Sequence, residues 1–196
     1  SDEPPKAWSV FDYANWVLCY MAHHNLEEVF LFGHSFGGRL GLILGADHPN
    51  RITSMVLADS AGIRPKLPFA TQVRTQVYKS VRDGLKSLGM SGLSDNLRQR
   101  YNARYGSSDF QNVSGIMRET FVKVINQDLL GHAARVAIPT LLIWGENDDE
   151  TPLWMGQKLE QTIPDAALVI FPSAGHYSYL EDVTRTVSIM DALYKS

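Results

Sequence analysis

A serine hydroxyl becomes useful in catalysis only when another group takes its proton, and three stretches of this chain could supply such an assembly. The first is Gly33-His34-Ser35-Phe36-Gly37, a G-x-S-x-G pattern that follows the apolar run Val29-Phe30-Leu31-Phe32 and leads through Gly38 into helical text. A serine there is expected on a sharp strand-to-helix turn, with its hydroxyl aimed away from the sheet. Gly33 and Gly37, two residues either side, are expected to let neighbouring segments pass without Cβ clashes. The helix start would place the Phe36 N–H where a developing oxyanion could be bound. Three fixed positions alone would match by chance in about 6% of chains this long, so the flanking strand and helix carry much of the weight.

A neutral serine is a poor nucleophile and needs a base, and the base needs an acid to orient it. The stretches Trp144-Gly145-Glu146-Asn147-Asp148-Asp149 and Pro172-Ser173-Ala174-Gly175-His176 each follow an apolar run. In parallel α/β sheets, sites form beyond the carboxyl ends of the strands, where all three candidates would lie. Ser35 is therefore read as nucleophile, His176 as general base and Asp148 as orienting acid. Glu146 and Asp149 compete with Asp148 for the acid role. Asp59, after another apolar run, is a further alternative, read chiefly as a local cap or hydrogen-bonding residue. His34 lies inside the turn, so its ring is expected to pack beneath the site in support of it. His23, His24, His48 and His132 show no partner pattern and read as surface or satisfied histidines. Cys19 reads as a buried small hydrophobe, and Trp144 and Trp154 as core.

These residues need a scaffold, and the apolar runs outline one. Val29–Phe32, Met55–Ala58, Leu141–Trp144 and Leu168–Phe171 do not alternate apolar with polar, the mark of strands covered on both faces. Helical patterns lie between them: Trp8 to Leu26, the stretch after Gly38, Pro152 to Ile163, and Tyr179 to Tyr194. The order implies an α/β fold with right-handed crossovers. About 80 residues separate the second run from the third, far more than a crossover needs. That excursion reads as helical at Thr71 to Leu88, Leu93 to Tyr105 and Ile116 to Leu130, and is expected to form a cap. The expected division is 1–62 and 135–196 for the core and 63–134 for the cap.

Gly33 to Gly38, the G-x-x-D-x-x-x-P pattern from Gly145 to Pro152, and Ala174-Gly175-His176 followed by Leu180-Glu181 resemble the α/β-hydrolase family. The likeness runs from Ser1 nearly to the C-terminus, and the order serine, acid, histidine is the family's. It implies an α/β-hydrolase fold, a mostly parallel sheet flanked by helices with an inserted helical cap, in which Ser35, Asp148 and His176 form the triad. Val183 stands where the family usually has proline, at a helix start remote from the chemistry. The family draws half its oxyanion hole from a loop upstream of the elbow, which this chain does not contain. Ser1-Asp2-Glu3-Pro4-Pro5 resembles the segment just after the family's fourth strand. The N-terminal part of the sheet is therefore expected to be missing, leaving the strand at Val29 as an uncovered edge.

Composition narrows the function. In 196 residues, 44% hydrophobic and 20% charged, with a net charge of -3, there is no positive excess for a phosphate backbone, so nucleic acid is not an expected partner. One cysteine excludes an internal disulfide, and no Cys/His spacing suggests a metal. A reducing, cytoplasmic location is the default, and no apolar run reaches bilayer-spanning length. The expected activity is hydrolysis of a small carboxylic ester or related acyl compound through an acyl-enzyme, without cofactor. Alternatives are C–C bond hydrolase or perhydrolase chemistry, a non-catalytic ligand-binding member of the fold, or an inactive fragment. Partners would be the acyl substrate and a second copy or complementing chain on the sheet edge.

Overall fold

The computed structural model describes residues 3–64, 69–105 and 115–195. Four parallel strands, β1 (Val29–His34), β2 (Ile52–Ala58), β3 (Thr140–Gly145) and β4 (Ala166–Phe171), lie side by side in chain order. Helices α1 (Val10–His23), α2 (Phe36–Asp47), α3 (Phe69–Ser87), α4 (Ser91–Tyr105), α5 (Gly115–Ile125) and α6 (Leu130–Ala133) occupy the chain before β3. The helix α7 (Trp154–Glu160) joins β3 to β4, and α8 (Ser178–Glu181) and α9 (Val183–Lys195) follow β4.

Local chemistry starts the first helix. The Ser9 hydroxyl accepts the Asp12 N–H at 3.3 Å while the Asp12 carboxylate accepts the Ser9 N–H at 2.7 Å, a reciprocal cap that satisfies two otherwise orphaned donors. Side chains alternate across a strand, and β2 uses both faces. Met55 and Leu57 join Leu42, Leu44, Leu142 and Trp144 in one core. Val56 and Ala58 point the other way, to Ile143 and Phe171, with Ile189, Met190 and Leu193 of α9 packed against them. Coverage of both faces therefore holds for β2 and β3. It fails at the margins: Val29 to Phe32 of β1 are only half-buried, and Ile170 of β4 is exposed.

Cys19 is exposed, because the buried stripe of α1 runs through Val10, Ala14 and Met21. Trp154 is also exposed, whereas Trp144 is fully buried. His132 has a partner, Asp47 Oδ2 at 3.5 Å. The single helix expected from Tyr179 to Tyr194 is two, divided where Asp182 adopts a non-helical backbone (φ -135°, ψ 75°).

The chain divides into two compact units, Ser1–Ala7 with Pro65–Val122, and Trp8–Arg64 with Lys123–Ser196. In the first, α3 and α4 are held by the Tyr78 and Tyr101 rings, stacked at 3.9 Å, and by a 3.1 Å hydrogen bond between the Thr75 and Tyr101 hydroxyls. The second contains the whole sheet and the three residues Ser35, Asp148 and His176.

Candidate active site

Ser35 sits between β1 and α2 with φ 49° and ψ -107°, a sparsely populated conformation that costs of order 1–3 kcal/mol and persists only where its surroundings impose it. Here its N–H donates to the Ala58 carbonyl at 3.1 Å, and its own carbonyl accepts the N–H groups of Gly38 at 3.1 Å and Ala61 at 3.0 Å. The end of β2 thus holds the turn at the end of β1. Phe36 is the first residue of α2, where the N–H has no intrahelical acceptor.

The glycines divide differently from the sequence reading. A Cβ on Gly33 would lie 2.7 Å from the Gly37 carbonyl oxygen, and one on Gly38 would run into the Ser60 side chain. A Cβ on Gly37 would meet nothing within 4 Å. The close approaches therefore fall on Gly33 and Gly38, and the steric role expected of Gly37 is absent.

Asp148 and His176 come together from the ends of β3 and β4. The Nδ1 of His176 lies 2.9 Å from Asp148 Oδ2, and both side chains are nearly or fully removed from solvent. Among the rival acids, Glu146 accepts the Ser173 N–H at 3.0 Å, and Asp59 is engaged elsewhere. Asp148 Oδ1 accepts the N–H groups of Glu150 at 2.8 Å and Thr151 at 2.9 Å, and Oδ2 also takes the Thr151 hydroxyl at 2.6 Å. Burial pushes the Asp148 carboxyl up, but the Thr151 hydroxyl, His176 and the two N–H groups outweigh it and hold it below the ordinary carboxylate range. The Thr151 oxygen is also 3.0 Å from the Asp59 carbonyl and 3.4 Å from His176 Nδ1. A hydroxyl has one proton, and the charged acceptor at the shortest distance takes it.

The other histidine nitrogen, Nε2, faces Glu150 Oε2 at 3.5 Å. Among the described residues no hydrogen bond joins it to the Ser35 hydroxyl. Glu150 is exposed, and catalytic hydrogen bonds are often long or poorly aligned before substrate binds. His34 donates or accepts nothing at the serine; its Nε2 meets the His176 carbonyl at 2.7 Å, and its ring lies 4.8 Å from that of His176. Three groups escaped the sequence reading: Thr151, Glu150 and Ser178. Asp148 and Thr151 stand three apart, a D-x-x-T spacing that marks side chain to backbone capping and was a usable signal for Thr151.

A parallel sheet with a strained serine after one strand, and an aspartate–histidine pair after the last two, defines the α/β-hydrolase class. The sequence pattern of the alpha/beta hydrolase fold matches residues 1–183, and the chain belongs to that family. It is 28% identical over 174 residues to a pimeloyl-[acyl-carrier protein] methyl ester esterase of Nitrosomonas europaea, covering 82% of this chain and 69% of that protein. It is 26% identical over 173 residues to a 2-hydroxymuconate semialdehyde hydrolase of Pseudomonas sp. strain CF600, covering 84% of this chain and 61% of that one. The enol-lactonase from Burkholderia xenovorans LB400 shares the fold with a TM-score of 0.67 at 21% identity, over 98% of this chain and 76% of its own. One of the two curated relatives is an esterase and the other a semialdehyde hydrolase, and hydrolase activity is the common ground. Among the described residues, no helix is long and apolar enough to cross a membrane.

Proposed function

We propose that the protein is a serine hydrolase that cleaves a small carboxylic ester or related acyl compound. The contact between His176 Nδ1 and Asp148 Oδ2 at 2.9 Å carries this reading, supported by the strained backbone of Ser35. In the proposed sequence the Ser35 Oγ attacks the substrate carbonyl carbon as its proton passes to His176 Nε2. The Phe36 N–H stabilises the oxyanion, and the imidazolium returns its proton to the departing alcohol. Water then enters, gives a proton to Nε2 as its oxygen bonds to the acyl carbon, and the imidazolium returns that proton to Ser35 Oγ as the acid departs. Asp148, already ionised, holds the imidazole with its Nδ1–H inward and balances the charge that forms. A cytoplasmic location belongs to the same reading. So does a further strand on the free edge of β1, from another polypeptide or a second copy.

The semialdehyde hydrolase relative favours a second reading, hydrolysis of a C–C bond beside a carbonyl by the same residues. One experiment tests the shared core. Intact-mass analysis after exposure to a fluorophosphonate is expected to show one adduct on Ser35, lost in Ser35→Ala and strongly slowed in His176→Ala. A folded protein that never labels would sink the assignment. Turnover of p-nitrophenyl acetate against a 2-hydroxy-6-oxo-dienoate then separates ester from C–C cleavage.

A further inference from the structure

The proposed reaction leaves one fully buried carboxylate unused. Asp59 follows β2, is 0% exposed, and has φ 44°, a left-handed backbone that aspartate tolerates better than most residues. The sequence reading made it a local cap, but its bonds are long-range. Oδ1 accepts the Gly145 N–H at 2.8 Å, 86 residues away, where the loop bearing Asp148 leaves β3. Oδ2 accepts both the Ser178 N–H at 3.1 Å and the Ser178 hydroxyl at 2.6 Å, 119 residues away and two residues past His176. Its own N–H donates to the Ile143 carbonyl at 2.9 Å, fixing where the carboxylate stands relative to β3.

We infer that Asp59 is a positioning residue for His176, fastening the end of β2 to both the acid loop and the histidine loop. It does not serve as the acid itself, because Nδ1 of His176 is bonded to Asp148. The inference rests on the proposed serine hydrolase reading for its kinetic consequences, though the fastening is geometric. A buried carboxylate is expensive unless its lone pairs are satisfied, and here three donors satisfy them. An apolar residue would fill the same space, but would leave the N–H groups of Gly145 and Ser178 without these acceptors. Burial pushes the Asp59 carboxyl up, hydrogen bonds from Ser178 and Gly145 pull it down, and the nearby Asp148 charge adds to the upward push. Asn is nearly isosteric, yet it offers one oxygen where three donors converge, so Asp59→Asn must free at least one loop. Misplacing a reacting group by about 1 Å costs on the order of 100-fold in rate.

The test compares fluorophosphonate labelling rates of the full chain as wild type, Asp59→Asn, Ser178→Ala, His176→Ala and the Asp59→Asn/His176→Ala double variant, with Tm recorded for each. Asp59→Asn is expected to slow labelling about 100-fold, and Ser178→Ala, which keeps the N–H bond, about 10-fold. In the His176→Ala background Asp59→Asn is expected to change nothing further, since residues acting through one group are non-additive. An equal loss in both backgrounds, or no loss in either single variant, overturns the inference. If Asp59→Asn fails to fold, Ser178→Ala alone decides. A wild type that never labels defeats the hydrolase reading instead, and the fastening is then judged by the nitrogen-15 resonances of the His176 ring. These are expected to shift or broaden in Asp59→Asn and Ser178→Ala; spectra identical to wild type overturn it.

Discussion

At the residue scale, the proposed acid was legible only to within a few positions. Glu146, Asp148 and Asp149 follow the same strand, and sequence spacing could not rank them beyond loop position. The fold ranks them by donors: Thr151 and two backbone N–H groups converge on Asp148, which therefore stays ionised under burial. This has a consequence for pH. Because the folded carboxyl lies below its ordinary value, it contributes stability present above the unfolded value of about 3.9, lost as pH falls through the folded value. The stability gap between wild type and Asp148→Asn, read from urea unfolding, is thus expected to shrink below about pH 4. Asp59, raised instead of lowered, works in the opposite sense: its contribution is present below about 3.9 and lost as pH rises through the folded value. Wild type should gain on Asp59→Asn as pH falls. A gap independent of pH in either variant would contradict the stated hydrogen-bonding and burial. For activity, Asp148→Asn is expected to lower kcat by about 10,000-fold with little change in KM, since it leaves the imidazole in the wrong tautomer.

At the element scale, strands and helices were readable because their cores are apolar runs of the right period; each expected strand lies within an observed one, extended by one to three residues at one or both ends, through small residues such as Ala166, Ala167, Gly33 and Thr140 that still pair. What the text hid was contact across the turn. G-x-S-x-G suggests that both flanking glycines answer a steric demand, but the backbone of α2 leaves open space beside Gly37 and presses Gly38 against Ser60. Gly37 lies within α2, where alanine is favoured over glycine by about 1 kcal/mol. Gly37→Ala is expected to hold or raise stability by up to about that amount, and Gly38→Ala to lower it by about 1–3 kcal/mol through overpacking. Chemical denaturation of the pair checks both signs at once. Equal destabilisation would mean that the turn does not have this shape. The division between α8 and α9 was hidden for a related reason: the apolar spacing of Tyr179 to Tyr194 continues across Asp182, and only the backbone there breaks it.

At the scale of the whole molecule, the sheet has two open edges among the described residues. Central strands β2 and β3 each pair on both sides, while β4 pairs only with β3 and β1 only with β2. The outer N–H and C=O groups of β1 are a template for another strand, and Phe30 and Phe32 beside them are only half-buried. The chain spans 69% and 61% of the lengths of the two esterase and hydrolase relatives. Hydrogen exchange is expected to be slowest in β2 and β3 and faster in β1 and β4, because local opening is easiest where pairing is one-sided. If a second copy covers the edge, protection of β1 should grow with protein concentration; if another polypeptide does, protection should stay flat until that polypeptide is added. The same titration bears on chemistry. In the proposed reaction the Phe36 N–H is one oxyanion donor, and a second such donor is worth about 100- to 1,000-fold in turnover. Where the covering strand brings that donor, fluorophosphonate labelling of Ser35 should rise by such a factor in step with β1 protection. Protection that rises without faster labelling would place the second donor elsewhere and leave the edge a purely structural contact.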